Sequence, residues 1–223
     1  MDINNFVKTE AKSLPIFLLL DTSGSMSGEK IASLNSAVLD MINDFKNERL
    51  TEVSLLVSII TFGGVANLHT ELSPIKNFVF NPLSAGGMTP LGSALKICQT
   101  IIDDKEKVSS KGYKPVVILV SDGMPNDEWR TPLDNFINGK RSSKCERWAL
   151  GIGADADFNM LELFLNDKEK RVFAANEVLE IAKFFKIVTM STIARSKSIN
   201  PNVSLDFNVL EEKFKEDKPS FKF

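Results

Sequence analysis

Apolar positions along the chain follow two patterns. Residues 15–20, 53–62 and 114–121 are apolar at most positions, with Val-Val-Ile-Leu-Val at the heart of the third run. A strand that is apolar at both parities is buried on both faces. Between the runs, apolar residues recur at steps of three and four. One set is Ile31, Leu34, Val38, Met41 and Phe45, a second is Leu91, Leu95, Cys98 and Ile102, and a third is Val178, Ile181, Phe185 and Val188. Such stripes are the core-facing sides of helices, and Pro90 suits the first turn of the second helix. Residues 132–138 and 160–165 read as short helices, residues 148–151 as the end of a fourth strand and 172–174 as a short strand. Residues 67–72 and 77–80 read as short strands near a sheet edge, separated by Ser73-Pro74, because proline is confined to edges.

Doubly buried strands alternating with amphipathic helices predict an α/β fold. The expected architecture is a doubly wound, mostly parallel sheet with helices on both faces, a three-layer sandwich. Residues 1–13 read as a polar arm, 14–194 as the folded domain and 195–223 as a polar tail. The tail mixes Lys213, Lys215, Lys218 and Lys222 with Glu211, Glu212, Glu216 and Asp217, and carries Phe214, Phe221 and Phe223.

Composition narrows the function classes. The chain has 223 residues, 43% hydrophobic and 25% charged, which excludes wholesale disorder. Its formal net charge of −2 argues against a dedicated nucleic-acid binder, which carries a basic surplus. No G-x-G-x-x-G or GxxxxGK[ST] phosphate loop is present. Cys98, Cys145 and the single histidine, His69, exclude the common zinc-finger sites. The cysteines read as buried thiols of a reducing compartment, and His69 as a surface or packing residue. No apolar run approaches the roughly 20 residues of a membrane span. The first residues lack the form of a secretory leader, so a cytoplasmic protein with no membrane partner is expected.

Three polar motifs follow strands or precede a helix. The first strand runs into Asp21-Thr22-Ser23-Gly24-Ser25, the second stripe is preceded by Gly86-Gly87-Met88-Thr89-Pro90, and the third long run ends in Ser121-Asp122-Gly123. In doubly wound sheets the ligand site lies outside the carboxyl ends of the strands, where these motifs would meet. Their carboxylates and hydroxyls are hard oxygen donors, which suit Mg²⁺, Mn²⁺ or Ca²⁺ over zinc or copper. Ser23 and Ser25, two apart in an extended loop, can point the same way, with Asp21 on the same side. The plainer alternative is that they cap the next helix.

Together the three motifs resemble the von Willebrand factor A domain and its metal-ion-dependent adhesion site, over residues 14–194. The resemblance implies that Ser23 and Ser25 ligate a divalent cation directly and Thr89 directly or through water, with Asp21 and Asp122 holding metal-bound waters. It implies a non-enzymatic module whose cation, Mg²⁺ first, captures an Asp or Glu carboxylate of a partner protein. The segments around these motifs also resemble bacterial, cytoplasmic tellurium-resistance-associated (TerY-like) proteins. That likeness implies a stress-response setting with a kinase-like or phosphatase-like partner.

The loop Asn126, Asp127, Glu128, Trp129 and Arg130 reads as the specificity surface, with Trp129 and Arg130 as interface anchors or with Trp129 folded back as packing. Asp127 or Glu128 could reach the metal themselves. An enzymatic alternative is a Mg²⁺-dependent phosphohydrolase with Asp21 as nucleophile. Haloacid-dehalogenase-like chemistry wants a second Asp two residues later, where Ser23 stands.

Overall fold

A computed structural model describes residues 11–198 and 202. The arm and tail expected from the sequence lie mostly outside these residues. Six strands form one sheet: β1 (Lys12–Asp21), β2 (Val53–Gly63), β3 (Val65–Pro74), β4 (Val116–Ser121), β5 (Glu146–Ile152) and β6 (Phe173–Ala175). Five α-helices flank it: α1 (Glu29–Asn47), α2 (Leu91–Asp103), α3 (Arg130–Asn138), α4 (Phe158–Leu165) and α5 (Val178–Lys197). The strand order is β3-β2-β1-β4-β5-β6. All neighbours run parallel except β3, which pairs antiparallel with β2 at the edge. The expected doubly wound α/β sandwich is therefore the architecture observed.

The two faces follow strand parity. Leu14, Ile16, Leu18 and Leu20 of β1, with Val116, Ile118 and Val120 of β4, pack against residues of α1 and α5. Phe17 and Leu19, with Val117 and Leu119, pack against α2, α3 and α4 on the other face. Each central strand thus feeds two cores, which is why its sequence shows no alternation.

The segment 77–80 differs from expectation. Ile75–Asn77 forms a single 3-10 turn and no strand follows it. Ile75 and Phe78 are buried in the core on the α1 side. Their apolar character serves to plug a loop, and Pro74 has already closed β3. Residues 67–72 lie within β3 as an edge strand.

The ends of the sheet opposite the three motifs are held by a buried ion pair. Glu146 opens β5 and pairs with Arg195 in the last turn of α5; their side chains are 4% and 2% exposed. Glu146 Oε1 also accepts from Trp148 Nε1 at 3.2 Å, and Arg195 Nη2 donates to the Lys114 carbonyl at 3.0 Å. The pair therefore ties the last helix to the starts of two neighbouring strands. Among the described residues, no helix is long and apolar enough to cross a membrane. Cys98 and Cys145 are buried free thiols, and burial pushes the Cys145 thiol up to about 12.

Removing one partner of a buried pair is far more damaging than replacing both. Glu146→Gln is expected to lower unfolding free energy by about 3–5 kcal/mol in urea titrations. The double substitution with Arg195→Met should recover much of that loss.

Candidate metal centre

The site begins with strand register. Leu20 of β1 lies beside Val120 of β4, so the next residues, Asp21 and Ser121, come together at the point where the order of the sheet reverses. Ser121 Oγ donates to Asp21 Oδ2 at 2.6 Å, and the Ser23 backbone N–H donates to Asp21 Oδ1 at 2.8 Å. Both carboxylate oxygens of Asp21 are thereby fixed, and the residue is fully buried. Past Asp21 comes Ser23, which is buried, and then a 3-10 turn, Gly24–Met26, in which Ser25 is exposed.

Ser23 Oγ and Ser25 Oγ lie 3.0 Å apart. Adjacent oxygens of an octahedral Mg²⁺ shell are about 2.9 Å apart, given metal–oxygen distances of about 2.0–2.1 Å. The two hydroxyls are thus spaced as neighbouring ligands of one ion. Ser25 Oγ donates to Asp122 Oδ1 at 2.7 Å, and Lys30 Nζ donates to Asp122 Oδ2 at 2.6 Å. With its own proton on Asp122, Ser25 Oγ accepts the Ser23 hydroxyl proton and keeps one lone pair for a cation, while both lone pairs of Ser23 Oγ stay free. The donor set fits a hard divalent ion with the carboxylates standing behind the hydroxyls. No three His, Cys, Asp or Glu side chains converge among the described residues, so a cation here depends on Ser and Thr oxygens.

Thr89 reaches this end of the sheet through a backbone clamp. Gly24 N–H donates to the Gly87 carbonyl at 2.9 Å, Gly86 N–H to the Thr22 carbonyl at 2.8 Å, and Gly64 N–H to the Met88 carbonyl at 2.8 Å. Gly87 has φ +77°, and a Cβ there would meet Gly64 Cα at 2.4 Å. Only glycine permits both the positive φ and that approach. Asn126 completes the clamp. Its Oδ1 accepts from Thr89 N–H at 3.0 Å, and its own N–H donates to the Thr89 carbonyl at 3.1 Å. Asn126 and Ser121 carry positioning roles that sequence reasoning did not assign to them, although both lie in segments it singled out.

The loop expected to form the specificity surface is built differently. Asp127 accepts from Gly92 N–H (3.0 Å), Ser93 N–H (2.9 Å) and Ser93 Oγ (3.1 Å). It supplies the N-terminal cap of α2, whose own preceding residue, Pro90, makes none. Glu128 Oε1 accepts from Thr131 N–H at 3.1 Å in the first turn of α3. Neither acid is directed at a cation. Trp129 is only 8% exposed and belongs to the core, with the Arg130 guanidinium stacked 4.6 Å from its ring centroid. Trp129 is therefore packing rather than a presented anchor, since it belongs to the same buried cluster as Leu91, Leu95 and Leu133.

A scan of family models matches residues 16–187 to the von Willebrand factor type A domain. The chain belongs to that family. Among curated relatives it is 24% identical to the inter-alpha-trypsin inhibitor heavy chain H4 of Bos taurus over 181 residues, covering 72% of this chain and 18% of that protein. It is 27% identical over 156 residues to the heavy chain H1 of Mesocricetus auratus, 66% of this chain and 17% of that one. The chain thus spans about a fifth of the length of these relatives. In fold it matches the von Willebrand factor type A structure from Catenulispora acidiphila (TM-score 0.63, 16% identity, 82% of this chain and 43% of that). It also matches mussel-byssus proximal thread matrix protein 1 with a zinc-occupied metal-ion-dependent adhesion motif (TM-score 0.61, 17% identity, 80% and 45%).

As an enzyme nucleophile Asp21 is badly placed, since it is inaccessible and both its oxygens are engaged. Burial raises its carboxyl above the ordinary 3.8; Ser121 and Ser23 oppose the rise by hydrogen bonding, and the charge of Asp122 adds to it. Without a cation the fold therefore holds this proton more tightly than the unfolded chain does. That contribution to stability is full below the ordinary value and is lost as pH rises through the raised one. A cation needs the ionised form, so its affinity has the opposite dependence. Calorimetric titration with Mg²⁺ is expected to weaken as pH is lowered through the raised value, beginning above the pH at which an ordinary aspartate protonates.

The capping role of Asp127 makes a separate prediction. Asp127→Ala is expected to cost about 0.5–2 kcal/mol of stability in denaturant titration, the range for a lost N-cap.

Proposed function

We propose that this chain is a non-enzymatic, metal-dependent protein-binding module. Ser23, Ser25 and Thr89 would hold a divalent cation, Mg²⁺ first, with Mn²⁺ or Ca²⁺ as substitutes. Asp21 and Asp122 would stand behind them and order its waters. The observation that carries the reading is the 3.0 Å pair of serine hydroxyls backed by two buried carboxylates. When bound, the cation would supply a Lewis-acidic position open to a carboxylate from outside. With neutral oxygens nearest the ion, its charge is only partly offset, and an Asp or Glu of a partner protein is the fitting ligand.

The surroundings favour a protein partner. Met88 and Met124, each next to or two residues from a proposed site residue, are 63% and 73% exposed. Exposed methionines offer an adaptable apolar rim around a charged centre. That rim, rather than Asp127, Glu128, Trp129 and Arg130, is the contact surface proposed. The finer setting is bacterial and cytoplasmic: a tellurium-resistance or stress system with a kinase-like or phosphatase-like partner. It rests on the likeness of the motif segments alone.

Affinity capture from lysate, with Mg²⁺ and with EDTA, tests the reading. Asp21→Ala and Thr89→Ala are expected to abolish capture while circular dichroism stays unchanged. Met88→Ser with Met124→Ser should weaken capture yet leave calorimetric Mg²⁺ binding intact. Capture that persists in EDTA and in both site variants would overturn the proposal. Phosphate release from a phosphomonoester, lost in Asp21→Asn, would replace it with the enzymatic alternative.

A further inference from the structure

Lys30 occupies a place that the ligand motif does not explain. It is the second residue of α1, and its Nζ lies 2.6 Å from Asp122 Oδ2. The Asp122 side chain has no exposure, while the Lys30 side chain is 33% exposed. Asp122 is thus a buried carboxylate with a hydroxyl on one oxygen and an ammonium on the other. Cations at helix N-termini are disfavoured by the dipole, so something other than helix stability holds Lys30 there. The Asp122 carboxylate is what holds it.

We infer that Lys30 is a tethered cation that sets the threshold for metal loading. This rests on the cation site proposed above. With no metal bound, Lys30 neutralises Asp122 and makes the desolvated carboxylate tolerable. When a divalent ion occupies the serine hydroxyls, Lys30 offsets part of the negative charge that should retain it and adds repulsion of its own. The ammonium bonds Oδ2, and Ser25 bonds Oδ1, so Lys30 need not leave for the ion to enter. Its cost to metal affinity is electrostatic rather than steric. The loaded site then keeps an excess of positive charge, which an incoming carboxylate offsets. By linkage the carboxylate must in turn tighten the metal. Lys30 therefore couples the two ligands: metal alone binds weakly, and metal with an acidic partner binds well.

Calorimetric titration of the full chain with Mg²⁺ and with Mn²⁺, in the absence of any partner, tests this. Lys30→Met keeps the aliphatic stem and removes the charge. It is expected to tighten both ions by about tenfold, the order for deleting one unit charge near a half-buried ion. Lys30→Arg, which keeps the charge, should bind as the parent does. Because Lys30→Met leaves Asp122 without its counter-charge, its metal-free Tm should fall. Its Mg²⁺-induced rise in Tm should then exceed that of the parent, and this second readout holds even for a weakened fold.

Equal or weaker binding in Lys30→Met overturns the role of Lys30 while leaving the site intact. If neither the parent nor Lys30→Met binds either ion, the site reading fails and takes this inference with it.

Discussion

Two parallel strands whose following helices leave on opposite faces, β1 and β4, lie side by side with Leu20 beside Val120. The separation of α1 from α3 opens a crevice beyond the strand ends, as doubly wound sheets require. The register decides which residues stand at its floor. Asp21 and Ser121 are buried there, bonded to each other, and a slip of one residue would turn both toward the wrong face. The hydroxyl pair, the clamp of Gly87 on Gly64 and the salt bridge of Lys30 to Asp122 are arranged around that floor. A polar floor so deep is tolerated because every oxygen of the two carboxylates has a donor, with a buried apolar core on either side of the sheet.

Electrostatics then distinguishes this site from a carboxylate cage. A cage of acids would bind the ion tightly and satisfy it. Here the groups nearest the ion's proposed position are neutral, the acids stand behind, and a lysine opposes one of them. Each choice lowers the affinity for the ion and leaves more of its charge to act outward. On the proposed reading, a module of the von Willebrand factor type A family built this way would trade metal retention for attraction of an acidic ligand.

Much of this was legible in the sequence, for physical reasons. Strands buried on both faces cannot alternate, so residues 15–20 and 116–120 announced a covered parallel sheet, and two of the three candidate motifs sat where such strands end. What escaped detection depends on long-range geometry. Phe78 and Ile75 look like strand residues because a buried loop plug is as apolar as a strand. Asp127 and Glu128 lie beside the motif Ser121-Asp122-Gly123 and looked available, yet helix N-termini claim them, one of them 34 or more residues away in sequence. Trp129 is a large residue in a polar loop, and only its burial in the core cluster shows that it is packing. Lys30 was one charge among 27 Lys and Arg until its distance to Asp122 was known.

The separation of the site's parts along the chain has a consequence for how the molecule comes into being. Asp21, Ser23 and Ser25 belong to the first strand–helix–strand unit, β1, α1 and β2. Ser121 meets Asp21 across a gap of 100 residues, and Asp122 arrives with it. Until β4 docks, the early unit holds half of the proposed site, and Asp21 has neither the Ser121 hydroxyl nor Asp122 beside it. Pairings this distant are slow to form. An ion held at the proposed site would report that β4 has found its place beside β1, so its binding would follow that pairing rather than prompt it.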